Sequence, residues 1–495
     1  MEQDKKDGKR IFGTYQEFIT DYMRRDFSVA LEETLNTELL NHLVRSDGQE
    51  DLIFATYSLS KGTNRIFGTL TEMIYPNEGD RKVHGNAEFY PSYLRRAISI
   101  ASKKKEGLVF LHSHPFPGWQ GMSPTDIIAE KRIAPSIYGA TGFPLLGMTT
   151  GNDGAWSARF WVKNHKRKRR YTRKWCSSVR VVGHGLNISF NDDILKPNFD
   201  SEKQLRTISA WGRDTQEDLS RLKIGIVGLG SVGSIVAEIL ARTGISYFVL
   251  IDFDTIEKKN LDRTAGVFEK DVGKSKVDAI AKAIKKSATS PKITIKKSEY
   301  SICEEIGFRN ALDCDLIFSC VDRPWPRQVL NFLSYAYLIP VIDGGIKIRT
   351  NSSNSKLIGA DWRSHIIGPG RVCLECMGQY SSEMAKLESE GFLDDPEYIE
   401  GSSIKLPSEF HENVFPFSAH LAAMEVLHSL GMIISPSGIS NLGEKIYHFV
   451  TGTIDTERMK CHNNCFFPSI ISKGDTLDLV IVGTHKKAEI ARKRH

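Results

Sequence analysis

The sequence predicts an α/β chain of two units: a mixed α+β domain first, then a doubly wound domain built on a mostly parallel sheet. Three observations carry this. At 495 residues the chain exceeds what one hydrophobic core ordinarily serves. An apolar strand, a glycine turn, a helix and a second strand follow one another from Lys223 to Asp254 as a βαβ unit. Well before it, a separate block from about Phe27 to about Phe160 alternates strands with an amphipathic helix and ends one strand on two histidines.

Composition narrows the class. Hydrophobic residues at 40% and charged residues at 25% describe a folded, soluble chain. A net charge of +6 is too dilute over this length to argue for nucleic acid. The start, MEQDKKDGKR, has no apolar core and so does not read as a signal peptide. No apolar run is read as long enough to span a membrane. Eight cysteines in so long a chain do not read as a secreted disulfide scaffold. A reduced, cytoplasmic protein is expected, with paired cysteines as metal ligands or reactive groups.

The elements follow in order. Leu52–Tyr57 and Ile66–Ile74 read as strands. PSYLRRAISIASKKK reads as a helix with Leu94, Ala97, Ile98 and Ala101 on one face. Leu108–Leu111 reads as a buried strand. The stretch Lys163–Trp175 holds eight Lys or Arg in thirteen residues, read as a solvated hairpin or linker rather than a nucleic-acid patch. KIGIVGLG is a strand entering a glycine turn, SVGSIVAEILARTG a helix stopped by Gly244, and YFVLIDFD a second strand. LIFSCVD and PVIDGG extend the same sheet. Thr476–Val482 is read as a strand, and HKKAEIARKRH as a basic helical end.

The first candidate site is LVFLHSHPFPGWQGMSPTD. His112 and His114 lie two apart at a strand end, so both imidazoles share one face. Ser123 is an N-cap with Pro124 at the first helical position, and this places Asp126 in the first turn. Two histidines and a carboxylate leave one open position on a zinc tetrahedron, the catalytic arrangement, with a water there made more acidic by the metal. HSHP followed by S-x-x-D resembles the motif of the JAB/MPN (JAMM) metalloproteases, zinc hydrolases of deubiquitinase type with a cytidine-deaminase-like α+β fold. That resemblance covers roughly residues 25–162. It implies a glutamate general base from an earlier strand, matched best by Glu50, with Glu72 and Glu88 as the next choices. It also implies that Ser123 steadies the oxyanion. Seven residues separate Pro115 from Ser123, where the family has six.

The second site begins at Gly228-Leu-Gly230-Ser-Val-Gly233. These glycines let backbone approach phosphates at a helix N-terminus. Asp252 closes the next strand, as a ribose-binding carboxylate would. To this point an NAD-dependent dehydrogenase fits equally well. The continuation DFDTIEKKNLDRTAGVFEKDVGKSK resembles the ThiF/MoeB/ubiquitin-activating superfamily of adenylating enzymes, whose D-x-D…N-x-x-R…K pattern appears as Asp252, Asp254, Asn260, Arg263 and Lys276. By that resemblance Asp252 holds the ribose, and Asn260, Arg263 and Lys276 contact the phosphates of ATP. Asp322 matches the family's Mg²⁺-binding aspartate. Arg206 matches an arginine that reaches into a partner subunit's nucleotide site, which implies a homodimer. Carboxyl adenylation builds charge on phosphate oxygens, and arginine, lysine and Mg²⁺ stabilise it without proton transfer.

Cys373-x-x-Cys376 and Cys461-x-x-x-Cys465 together suggest a structural Cys₄ zinc clip. The alternative is ordinary thiols, or that Cys373 or Cys376 is a nucleophile that takes the acyl group. The family's usual nucleophile position falls between Met377 and Lys460, a region without cysteine that reads IEGSSIKLPSE, with Ser402 and Ser403. Cys176, Cys303, Cys314 and Cys320 read as core.

The chain thus divides into an extension (1–24), a JAB-like domain (25–162), a basic linker or hairpin (163–200), a ThiF-like domain (201–470) and a tail (471–495). Over about 25–470 it resembles a bacterial-type fusion of a JAB protease and a ThiF-like activating enzyme. The implied substrate is a ubiquitin-like protein ending in glycine, cut by one domain and adenylated by the other, with a conjugating enzyme as a further partner and no role for membrane or nucleic acid. Two alternatives stand beside this. One is a sulfur-carrier adenylyltransferase with a trimming protease. The other is an adenylation domain whose inactive JAB domain only binds.

Overall fold

The computed structural model describes residues 25–84, 86–164, 170–351, 356–394 and 413–493. The expected extension 1–24, Ser402 and Ser403 therefore lie outside the described residues, as does part of the basic stretch.

The first unit opens with β1 (Asp26–Glu32) and α1 (Glu33–Leu43), followed by the long strands β2 (Leu52–Lys61) and β3 (Arg65–Ile74) and a small hairpin, β4 (Arg81–His84) and β5 (Asn86–Phe89). Next come α2 (Pro91–Lys104), β6 (Gly107–Ser113), α3 (Pro124–Thr141), β7 (Leu145–Thr150), β8 (Trp156–Asn164), β9 (Arg170–Trp175), β10 (Ser178–Val182) and β11 (Leu186–Phe190). Nine of these strands form a mixed sheet in the order β11-β10-β1-β3-β2-β6-β7-β8-β9. Because side chains alternate along a strand, β6 sends Leu108 and Phe110 to one face, against Ala97 of α2 and Ile133 and Ile137 of α3. It sends Val109 and Leu111 to the other face, against Leu39 and Leu43 of α1.

The boundary expected at 162 moves. Of the two readings of the basic stretch, the hairpin holds and the linker does not: β9 pairs antiparallel with β8, and the following β10 pairs in parallel with β1 near the other end of the sheet. The local reading found the charge but not the distant partner of SVRVV.

The second unit comprises α4 (Leu205–Trp211), α5 (Arg213–Arg221), β12 (Lys223–Val227), α6 (Ser231–Thr243), β13 (Tyr247–Ile251), α7 (Lys276–Ser287), β14 (Thr294–Ser298), α8 (Glu305–Ala311), β15 (Leu316–Ser319), α9 (Pro324–Ala336) and β16 (Val341–Thr350). It continues with β17 (Leu357–Ile367), α10 (Ser382–Glu390), α11 (Phe415–Ile434), β18 (Glu444–His448), β19 (Thr453–Glu457) and α12 (Lys486–Arg492). The sheet order is β14-β13-β12-β15-β16-β17-β18-β19, parallel through β16 and antiparallel beyond. The order reverses between β12 and β15, so the crevice for a ligand lies outside the carboxyl ends of those two strands. Gly244, at φ 100°, ends α6 in the left-handed conformation that glycine tolerates.

Two further expectations are corrected. α11 is long and apolar enough to pass for a membrane span by length and composition. It packs against α6 and the second sheet with Glu425 and His428 buried along it, which is how a core helix is built. Residues 476–482 form no strand; after a short 3₁₀ turn at Gly474–Thr476 they run irregularly past Trp325, whose indole donates to the carbonyl of Ile481 (3.0 Å).

The units share a core. Ala30, Val182, Leu186 and Phe190 of the first pack in the same apolar cluster as Leu219, Leu222 and Ile224 of the second. The β2–β3 turn is clasped by α8 and the residues after it: Asn64 and Arg65 donate backbone N–H to the Asp313 carboxylate (3.0 Å each), and Thr63 Oγ1 bonds Asn310 Oδ1 (2.7 Å). Arg65 and Arg180 both pair with Asp315 (2.8 and 3.2 Å), all three fully buried. The segment read as a tail completes the seam, with Thr69 Oγ1 donating to the Ser472 carbonyl (2.7 Å) and Asp475 pairing with Arg309 (2.7 Å).

Candidate functional site

The first cluster is assembled by strand register. β2 and β6 pair antiparallel with Leu52 opposite His112. The pairing continues past the strand ends, where Ser113 N–H bonds the Asp51 carbonyl (3.1 Å) and Asp51 N–H bonds Ser113 Oγ (3.0 Å). One step further places Glu50 across from His114. The third group comes from α3, whose start is a full capping box: Ser123 Oγ accepts from Asp126 N–H (3.1 Å) and Asp126 Oδ2 accepts from Ser123 N–H (2.8 Å). The cap that begins the helix thereby aims the Asp126 carboxylate.

His112 Nε2 and His114 Nε2 stand 3.2 Å apart, and Asp126 oxygens lie 3.7 and 3.5 Å from them. Zinc bonds of 2.0–2.1 Å imply a tetrahedral edge of about 3.3 Å, so the donor set fits that ion. Burial opposes charge on Asp126, but the two imidazoles and the Ser123 side chain hold its carboxyl well below the usual range. Burial lowers His112, with Asp126 acting against it, which favours the neutral imidazole a metal needs. Burial raises Glu50; the neighbouring Asp126 adds to this and His114 opposes it. Of the three candidate glutamates, Glu50 is the one beside His114 and Asp126. Glu72 pairs with Lys104 on the surface, and Glu88 is exposed on the small hairpin opposite Lys82.

The second cluster sits at the switch point. Gly228 takes φ 87°, and a Cβ there would meet the Cys320 carbonyl oxygen at 2.4 Å. A Cβ on Gly233 would meet the Gly228 carbonyl oxygen at 2.0 Å, while one on Gly230 would meet nothing. The first and third glycines thus pack the loop against strand and helix, and the second leaves open space. Asp252 accepts from Leu229 N–H (2.6 Å) and Asp254 N–H (2.8 Å), so it braces the glycine turn as well as facing the crevice. Lys276 pairs with Asp254 (2.8 Å) and lies 4.0 Å from Asp252. Burial would lower the lysine, but Asp252, Asp254 and Asp322 together raise it, so it stays an ammonium. Asn260 Oδ1 caps its own turn from Glu257 N–H (2.9 Å), and Arg263 reaches the Lys259 carbonyl (2.6 Å). Arg206 is not at this loop. Its neighbour Gln204 packs on Gly244, at the other end of α6, about 20 Å away for thirteen residues.

The third cluster brings Cys373, Cys376, Cys461 and Cys465 together. Cys373 Sγ and Cys465 Sγ are 3.7 Å apart, near the roughly 3.8 Å edge of a Zn–S tetrahedron, and backbone N–H of Cys373, Cys376 and His462 point at cysteine sulfurs. The four can hold a zinc ion. Cys176, Cys303 and Cys314 are fully buried, and burial pushes their thiols up. Cys320 lies against Gly233 and Glu425 and is likewise raised.

Sequence reasoning missed Glu130, Arg159 and Thr149, buried behind the histidines. The available signal was Gly147, a glycine inside an apolar strand, which marks close approach by another group. It also missed Asn413, whose Nδ2 donates to Ser231 Oγ (2.8 Å) at the head of α6.

Fold and crevice define a nucleotide-binding, doubly wound α/β unit joined to a second α/β sheet. The ThiF family model matches residues 202–465, just over half of the chain, and the chain belongs to that family. Ubiquitin-like modifier-activating enzyme 5 of Oryza sativa subsp. japonica is 35% identical over 132 residues, covering 24% of this chain and 30% of that protein. The protein of the same name from Drosophila willistoni is 28% identical over 175 residues, covering 32% and 42%. The chain therefore spans well under half the length of these relatives. A crystal structure of E. coli MccB with ATP is a distant likeness: TM-score 0.40, 22% identity, covering 55% of this chain and 75% of that one.

Proposed function

We propose that the chain adenylates the C-terminal carboxylate of a small ubiquitin-like protein with ATP and Mg²⁺, and that its first domain is a JAB-type zinc peptidase acting on the same glycine-ended tail. The observation that carries the adenylation reading is the grouping of Lys276 with Asp252, Asp254 and Asp322 beside the open side of the glycine turn, a set for which hydride transfer has no use. The tail carboxylate attacks the α-phosphorus and pyrophosphate leaves. Lys276 and Arg263 would stabilise charge on phosphate oxygens, the α6 N-terminus would favour the phosphates, and Asp322 would hold the cation.

In the first domain His112, His114 and Asp126 would hold zinc, which supplies Lewis acidity and a more acidic water. Glu50 takes a proton from the attacking water and returns it to the leaving amine. The Ser123 hydroxyl, whose oxygen accepts from Asp126 N–H, would donate to the oxyanion. Arg206, remote from its own glycine loop, supports action across a homodimer. With four cysteines gathered in one cluster, three others buried and the thiol of the partly buried Cys320 raised, the acyl group would be passed to another protein, a conjugating enzyme or a sulfur-transfer partner.

The test is mass spectrometry of the enzyme with ATP, Mg²⁺ and a glycine-ended candidate protein, together with Asp322→Ala. The adenylate is expected from the wild-type chain. The variant is expected to lose modifier-dependent ATP–pyrophosphate exchange and to keep tail cleavage. Exchange that survives Asp322→Ala overturns the adenylation site.

A further inference from the structure

We propose that the buried Glu130–Arg159 pair is a positioning device for the first metal site, holding Asp126 in register with the two histidines. This rests on the metal-site reading above.

Glu130 lies one turn after Asp126 on the same face of α3. Its carboxylate accepts from Arg159 Nε (3.1 Å), from Arg159 Nη2 and from Trp161 Nε1 (2.6 Å). Both members of the pair are 0% exposed. Room for it is made by Gly147 on β7, where a Cβ would meet the Glu130 carboxylate oxygens at 2.5 Å. The same guanidinium reaches the other side of the ligand set. Arg159 Nη1 donates to Thr149 Oγ1 (2.6 Å), and that oxygen lies 3.4 Å from His112 Nε2, on the strand paired with the histidine strand. One planar cation thus ties the helix that carries Asp126 to the neighbour of His112.

Stability alone does not call for such a pair, because matched apolar residues often replace a buried ion pair without loss. Geometry does. Apolar side chains would hold α3 against the sheet but leave it free to slide, whereas a bidentate carboxylate–guanidinium contact fixes both distance and angle. Supporting contacts of this kind set metal affinity by about 10- to 100-fold.

The experiment titrates zinc from the full-length protein with a competing chelator. The first site is identified as the zinc equivalent lost in His112→Ala. In Glu130→Leu/Arg159→Met we expect first-site affinity to fall about 10- to 100-fold, with ATP–pyrophosphate exchange and the second zinc unchanged. Glu130→Gln, which keeps an acceptor for Arg159 and Trp161, is expected to fall less and serves if the double variant does not fold. In an Asp126→Ala background the double change is expected to cost clearly less than in the wild-type background, since the pair acts chiefly through that ligand. Unchanged affinity, or the same loss in the Asp126→Ala background, overturns the proposal. If His112→Ala loses no zinc, the metal reading itself has failed and the proposal falls with it.

Discussion

Glu50 and His114 face each other only because β2 and β6 keep their register beyond the last ladder pair, through the Asp51 and Ser113 bonds. Glu50→Gln keeps shape and removes the base. Tail cleavage should fall about 10²- to 10⁴-fold while zinc content, measured by metal analysis, is unchanged; retained cleavage would assign the base elsewhere. Gly233 invites a different test. A methyl there overlaps the Gly228 carbonyl, so Gly233→Ala should displace the glycine turn and abolish ATP–pyrophosphate exchange without touching cleavage. Gly233 was legible in the sequence because it belongs to a short string whose spacing fixes its geometry, whereas Glu50 was reached only through the family resemblance, with Glu72 and Glu88 beside it. Glu130 and Arg159 were not, since twenty-eight positions and a strand crossover separate them, and nothing local to either says that they meet.

At the scale of elements, α3 does two tasks with one terminus. Its capping box starts the helix and aims Asp126. Ser123→Ala should therefore show two separable losses: about 1 kcal/mol of stability from the missing cap, read by chemical denaturation, and about a 10²- to 10³-fold drop in cleavage rate from the missing oxyanion donor. A drop in stability alone would leave Ser123 as a cap and nothing more. The helix itself was legible from Ser123, Pro124 and the apolar run after them. The strands β10 and β11 were not, because nothing local to SVRVV, which is buried throughout, says which distant edge it joins. α11 shows the converse: composition alone matches a membrane span, and only its packing against α6 and the sheet separates the two.

The whole molecule is held by the buried seam between its halves. Burial raises the Asp315 carboxyl, but Arg65, Arg180 and Lys223 pull it down to about 2. A depressed carboxylate stabilises the fold above its unfolded value, and that contribution is lost as pH falls from about 4 towards 2. By linkage it amounts to about 2–3 kcal/mol. Calorimetry across that range should show the loss in the wild-type protein and not in Asp315→Asn. Asp315→Ala, which leaves two arginines buried without their partner, should cost about 3–5 kcal/mol at neutral pH.

The clasp around Gly62–Asn64 leaves Gly62 no room for a side chain, since a Cβ would meet the Asp313 carboxylate at 2.2 Å. Two sites on a loose string would find each other at any spacing. Here the gap between the two clusters is a constant of the fold, and the chain is built as a calliper. Under the proposed function, a tail would have to bridge that gap to pass from cutting to activation in one encounter, and a shorter one would have to let go and begin again.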